Sequence, residues 1–299
     1  MFIKRLFHSI NIFFHWIYMQ TFPKLDDPFF LSSVFHPRCS EITPPPKGAV
    51  DVEIETSPGI GIGCRFYIHD PNSPNVIYFH GNGEIVSDYD DIGPLYNHAG
   101  INLLVTTYRG YGWSGGSPTV ALMLSDAEIL FSEIKNWLTY NEYTGALFLM
   151  GRSLGSVSAI DLATRHEDDI KGLIIESGIA NTIPLAKSLG VDTDGLGVTE
   201  ADGFQNVEKI AKITVATFIF HGANDEIIAA SEAENLQAFS GARTKEFVVI
   251  PGANHNTMIL TGGKLYFQTL KKFIDKVTGA TNWRRRRKTT NNYPRSNSK

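Results

Sequence analysis

Cysteine is scarce in this chain: Cys39 and Cys64 are the only two in 299 residues. Two thiols exclude a disulfide framework, a four-cysteine zinc site and an iron–sulfur cluster. No run of 18 apolar residues occurs either, which excludes a conventional transmembrane helix. Phosphate and metal motifs are missing too. There is no His-Glu-x-x-His, and Gly262-Gly263-Lys264-Leu265 lacks the Ser or Thr that a phosphate loop needs after its lysine. Asp192-Thr193-Asp194-Gly195 opens like a calcium loop, but Leu196 and Gly203 stand where ligands are required. Gly59-Ile60-Gly61-Ile62-Gly63 has no following helix to receive a phosphate. No zinc site, phosphate loop, calcium loop or dinucleotide fingerprint is therefore expected. An excess of glycine or proline is also lacking, and 42% hydrophobic residues suffice for a sizeable core, so wholesale disorder is excluded.

Basic residues are sparse until the end. Residues 283–299 hold seven Lys/Arg and no acid, which leaves 20 basic against 31 acidic residues before them, a balance of −11. A globular part that acidic is a poor nucleic-acid binder, because such affinity comes mainly from neutralising phosphates. The block at 284–288 reads as part of a basic, disordered tail over 279–299, solvated or in contact with anionic lipid, RNA or an acidic partner.

In residues 1–20, Ile3, Leu6, Phe7, Ile10, Phe13, Phe14 and Ile17 recur at helical spacing. His8, Asn11 and His15 interrupt the apolar core that a signal peptide would need, and no Ala-x-Ala follows. The pattern predicts an amphipathic helix that lies on a membrane surface or docks on the domain. Residues 21–49, closed by Pro44-Pro45-Pro46, read as a linker.

From residue 50 the pattern alternates. A strand pair is expected at 51–56 and 61–68 around the Pro58-Gly59 turn. Short apolar runs follow at 76–79, 103–107, 147–150, 173–175, 216–220 and 247–250, suiting parallel strands buried on both faces. Helical patterns fall near 120–139, 154–166, 230–239 and 263–277, the third opened by a capping box at Ser231-Glu232-Ala233-Glu234. The alternation predicts an α/β fold with a mostly parallel, doubly wound sheet over 50–278. Reactive groups then gather beyond the carboxyl ends of the strands.

There, Gly151-Arg152-Ser153-Leu154-Gly155 fits the nucleophile elbow G-x-S-x-G, with a strand before it and a helix after it. Its tight turn would expose Ser153 Oγ and aim the Leu154 amide at a developing oxyanion. Gly112-Trp113-Ser114-Gly115-Gly116 matches the same pattern, but Ser117-Pro118 follows instead of a helix, so Ser114 is set aside. A serine needs a base, and the base an orienting carboxylate. His255 follows the last strand and suits the order Ser, acid, His. His80 and His221 read as structural histidines bracing their own turns. Asp225, just past the strand before the histidine's, is the expected acid, with Glu226 and Glu176 as competitors. His80-Gly81-Asn82-Gly83 follows an apolar strand, which places the Asn82 amide as a second oxyanion donor.

Together with Tyr108-Arg109-Gly110-Tyr111-Gly112, these elements resemble the α/β-hydrolase-fold serine hydrolases. The resemblance covers about residues 50–278. It lies nearest the branch with membrane-associated acyl-protein thioesterases and related uncharacterised hydrolases; monoacylglycerol lipases are further off. It implies Ser153, Asp225 and His255 as triad, ester, thioester or amide chemistry, and no cofactor. The depalmitoylating members carry a cysteine-rich, lipidated N-terminus, whereas residues 1–20 here contain no cysteine. A small cap is expected at about 177–213, leaving a fairly open pocket that the N-terminal helix helps cover. The expected activity is hydrolysis of an ester or thioester of a small-molecule or lipid-like acyl substrate. The alternatives are a peptidase or amidase on the same residues, and a non-catalytic membrane-surface binding protein. The expected location is the cytoplasm, with peripheral membrane contact through residues 1–20 and 284–288, and no nucleic-acid partner.

Overall fold

The computed structural model describes residues 4–6 and 21–280. Its centre is a sheet of nine strands: β1 (Lys4–Leu6), β2 (Ala49–Ser57), β3 (Ile60–Tyr67), β4 (Asn75–Phe79), β5 (Asn102–Thr106), β6 (Leu147–Arg152), β7 (Gly172–Glu176), β8 (Ala216–Gly222) and β9 (Lys245–Ile250). Their spatial order is β1-β2-β3-β5-β4-β6-β7-β8-β9. The β2–β3 and β3–β5 pairs are antiparallel, and every other pair is parallel. This is the doubly wound α/β sheet that the alternation predicts. Strands β4, β6 and β7 are buried along their whole length because helices cover both faces, which explains runs without polar alternation.

Two apolar cores sandwich the sheet. One packs α3 (Val120–Tyr140) and α4 (Gly155–Arg165) through residues such as Phe131, Ile134 and Ile160. The other packs α2 (Gly93–His98) and α8 (Met258–Val277) through Tyr96, Tyr266, Leu270 and Phe273. The backbone of α8 breaks at Gly263 (φ 43°, ψ −118°), so its periodicity becomes visible only beyond that residue. At the opposite end of the sheet, the fully buried Arg65 guanidinium on β3 holds Asp51 on β2 and Asp90 in the connection between β4 and β5.

Three expectations need correction. First, Lys4–Leu6, inside the stretch expected as a helix, is a strand paired parallel with β2 from Lys4↔Val52 to Leu6↔Ile54. Without it β2 would present an edge of unpaired backbone groups, and satisfying these overrides a weak helical preference. The rest of the expected helix and residues 281–299 of the basic tail lie outside the described residues.

Second, 21–49 is not a linker. It contains α1 (Pro28–Val34), capped by the Asp27 side chain accepting the Phe29 N–H, with proline at the helix start. Phe22, Leu25, Phe30, Val34 and Phe35 are buried in a third apolar cluster over the carboxyl end of the sheet. Asp26 accepts from the Val120 N–H, pinning this segment to the start of α3 (2.7 Å). A seven-residue helix is too short to show a period, which is why the composition there reads as irregular.

Third, the capping box at Ser231 does not form. Helix α7 (Ala230–Phe239) begins earlier, after Ala229, without a side-chain cap. Glu232, which lies between the two residues of the expected box, accepts from the backbone amides of Ala180 and Asn181, fastening the start of the cap. That cap holds α5 (Thr182–Ser188) and α6 (Asn206–Ile210), close to the span expected from sequence. Among the described residues no helix is long and apolar enough to cross a membrane.

Candidate active site

Ser153 sits at the turn from β6 into α4 with φ 50°, a left-handed conformation that a non-glycine residue seldom adopts. The turn is compressed from both sides. A Cβ on Gly151 would lie 2.4 Å from the Gly155 carbonyl oxygen, and one on Gly155 would lie 2.0 Å from that of Phe79. Only glycine fits at either position, and the local strain is held by the Ser153 N–H donating to the Glu176 carbonyl (3.0 Å). Ser153 retains 8% of its surface and His255 6%, so both stand at a nearly closed site.

The structure brings the three expected side chains together. His255 Nε2 lies 3.0 Å from Ser153 Oγ, and its Nδ1 lies 2.8 Å from Asp225 Oδ2. Asp225 Oδ1 accepts from the amides of Ile227 and Ile228 (3.0 and 2.9 Å), which fixes the carboxylate plane. Burial alone would raise the Asp225 carboxyl. The hydrogen bond and charge of His255, with the Ile228 amide, outweigh it and hold the group below the usual carboxylate range. Such a chain can move a proton from the serine hydroxyl to the imidazole, with the carboxylate fixing the tautomer.

The competitors lie elsewhere. Glu176 is buried at the end of β7, where its carboxylate accepts from Tyr266 (2.6 Å). Glu226 is exposed. Ser114 Oγ accepts from the Gly63 amide in a turn that does not lead directly into a helix, α3 beginning only at Val120. His80 and His221 are both fully buried and brace turns: His80 contacts the Gly81 carbonyl and Thr107 (2.7 Å each), and His221 Nε2 donates to the Ile228 carbonyl (2.9 Å). Burial lowers the pKa of each.

Leu154, immediately before α4, contributes an amide that precedes the helical ladder and so has no partner within it. Asn82 lies in the loop after β4, its side chain clamped from two directions. Its Oδ1 accepts from the His36 N–H (2.9 Å) and the Tyr111 hydroxyl (2.7 Å), and its Nδ2 lies 2.7 Å from His36 Nδ1. His36 and Tyr111 lie outside the site expected from sequence; the tyrosine belongs to Tyr108-Arg109-Gly110-Tyr111-Gly112, but nothing near His36 points to Asn82. Leu154 itself belongs to the apolar cluster formed by Phe22, Phe30, Phe35, Ile179, Leu185 and Phe204. The cover over the site thus comes from residues 22–35 together with the cap, and the site is less open than the short cap suggests. A cavity of about 310 Å³ opens between 22–24 and 201–205, without Ser153 in its lining. Among the described residues no cluster of His, Cys, Asp or Glu is arranged to hold a metal ion.

Residues 70–189 match a family model described as serine aminopeptidase, S33. Human alpha/beta hydrolase domain-containing protein 17B is 32% identical over 228 residues, covering 74% of this chain and 73% of that protein. The chain belongs to the α/β-hydrolase superfamily. A Pyrococcus furiosus esterase has the same fold as this α/β hydrolase (TM-score 0.65, 19% identity, 81% of this chain and 98% of the other). So does a soluble variant of yeast monoglyceride lipase (TM-score 0.60, 18% identity, 75% and 93%).

One pH effect follows from the carboxylates. Asp225 and Glu84 both lie below their usual range: burial raises each, but His255 for the first and Arg152 for the second outweigh it. A depressed folded-state pKa gives stability that is present above the unfolded value and lost as pH falls through the folded one. The hydrolase should therefore lose stability below about pH 4, the unfolded carboxylate range. Urea titrations across that range should show a flatter decline in Asp225→Asn and Glu84→Gln than in the unmodified protein. Equal slopes would contradict the assignment.

Proposed function

We propose that this α/β hydrolase is a serine hydrolase that cleaves an ester or thioester of a small-molecule or lipid-like acyl substrate. The observation that carries this reading is the continuous chain from Ser153 Oγ through His255 to Asp225. Ser153 Oγ attacks the acyl carbon while its proton passes to His255 Nε2. The Asn82 and Leu154 amides receive the negative charge that develops on the carbonyl oxygen. Collapse expels the alcohol or thiol, which takes the proton from His255, and leaves an acyl-serine. Water then gives its proton to His255 as it attacks, the acid departs, and the proton returns to Ser153.

The side chains that cover the site around Leu154 are apolar and packed on one another, and a binding path opened among them would suit an acyl chain better than a polar metabolite. Amide cleavage on the same residues is the second reading, favoured by the description of the matching family model. A screen of acyl esters and thioesters graded by chain length, run beside aminoacyl amides, separates the two. Faster turnover of esters or thioesters, rising with chain length, is expected. Preference for aminoacyl amides would replace this reading with a peptidase. Peripheral contact with anionic membrane through the basic block 284–288 belongs to the same proposal. Failure to sediment with anionic vesicles at low salt would remove it.

A further inference from the structure

Arg152 occupies the variable position before Ser153 in the elbow, yet only 8% of it is exposed, and its guanidinium reaches two separate loops and the end of β7. Nη1 donates to Glu84 Oε1 in the loop that carries Asn82. Nη2 donates to the His255 carbonyl oxygen (2.6 Å) and to Asn256 Oδ1 (3.0 Å) in the histidine loop. Nε faces Glu176 Oε1 (3.5 Å) at the end of β7. The other oxygen of Glu84 accepts from the Gly81 amide (2.7 Å) and the Tyr89 hydroxyl (2.8 Å). The chain of contacts thus runs from the guanidinium through Glu84 to the residue just before Asn82. A Cβ on Gly81 would lie 2.4 Å from Arg152 Nη1, so the glycine there makes room for the arginine.

We propose that Arg152 is the positioning residue of this centre, holding the His255 loop and the Asn82 loop in register with Ser153 Oγ. The inference rests on the serine-hydrolase reading above. The physical reason lies in the side chain. A guanidinium has five donors in a rigid planar fork and can satisfy a carboxylate, a backbone carbonyl and an amide oxygen at once. Lysine has the charge but no fork. Burying an ion in an enzyme core is costly, and a purely structural site of this volume is served as well by apolar side chains. Here every polar partner of Arg152 sits on an element that carries a site residue or directly supports one.

The electrostatics agree with the geometry. Burial pushes the Glu84 carboxyl up, but the Arg152 charge, His80 and the bonds from Tyr89 and Gly81 leave it below its usual range. Burial keeps the Glu176 carboxyl raised even beside Arg152. Arg152 itself is opposed by burial and held protonated by Glu84 and Glu176.

Arg152→Lys tests the role in the full-length protein, with Ser153→Ala assayed beside it and thermal unfolding followed for both. Misplacing reacting groups by about 1 Å can cost on the order of 100-fold, so kcat should fall by about that factor while KM stays nearly constant. Fluorophosphonate labelling of Ser153 should slow in step. The downfield proton resonance of the His255 Nδ1–Asp225 bond should shift or broaden, a signature that loss of stability alone would not produce. Should Arg152→Lys fail to fold, Asn256→Ala removes one guanidinium bond from an exposed position. It should lower kcat by roughly tenfold with KM unchanged. Unchanged kcat and an unchanged resonance in the folded variant, with Ser153→Ala inactive, would overturn the positioning role alone. An active Ser153→Ala would overturn the serine-hydrolase reading beneath it.

Discussion

Replacing Ser153 with alanine is expected to remove about six orders of magnitude of turnover, as loss of a triad nucleophile can. The size follows from what is left behind. His255 would keep its bond to Asp225 but would have no hydroxyl to deprotonate, so no acyl-enzyme could form. The fold should be nearly unaffected, because Ser153 Oγ has His255 as its hydrogen-bond partner and removing a partly accessible hydroxyl costs about 1 kcal/mol. Ser114→Ala is the matched control, since it removes the serine of the second G-x-S-x-G. It should retain most activity and lose a comparable amount of stability, because Ser114 Oγ accepts from the Gly63 amide (3.0 Å). An active Ser153→Ala beside an inactive Ser114→Ala would reverse the assignment.

The second large effect belongs to the acid. Asp225→Asn should reduce turnover by about 10⁴ with substrate binding little changed. Asp225 accepts from two backbone amides through one oxygen and from His255 through the other. A carboxamide has a single acceptor. With its oxygen kept on the amides of Ile227 and Ile228, its NH₂ would face His255 Nδ1 and force the proton onto Nε2, where the imidazole can no longer accept from serine. Glu176→Gln and Glu226→Gln should be far milder. A nearly active Asp225→Asn beside an inactive Glu176→Gln would move the acid to the end of β7.

The parts of the molecule that sequence reveals are those whose cause is local. An apolar run such as Leu147-Phe148-Leu149-Met150 has to be buried on both faces, so β6 is readable from four consecutive residues. The elbow is readable for the same reason, since Gly151 and Gly155 are required by contacts within a few residues and with the adjoining strand. Asp225 and His255 are found through their order along the chain, although 30 residues separate them.

What sequence hides is the long-range polar framework. Arg152 meets Glu84 across 68 residues and the His255 carbonyl across 103, and no spacing rule links them. The one available signal was the placement of a cation at the end of an apolar strand, with an acid, Glu84, shortly after another. Residues 21–49 fail differently. Their buried aromatics are anchored on distant partners such as Leu154 and Phe204, so no period marks them as structure. Ser231 and Glu234 match a capping box by type and spacing, but α7 already begins at Ala230, so Ser231 lies inside the helix and cannot cap it.

Peptide mapping after fluorophosphonate treatment tests the central claim most directly. The account predicts a single adduct, on the peptide that carries Ser153, formed slowly or not at all in His255→Ala. An adduct on another serine, or none on a folded protein, would contradict it.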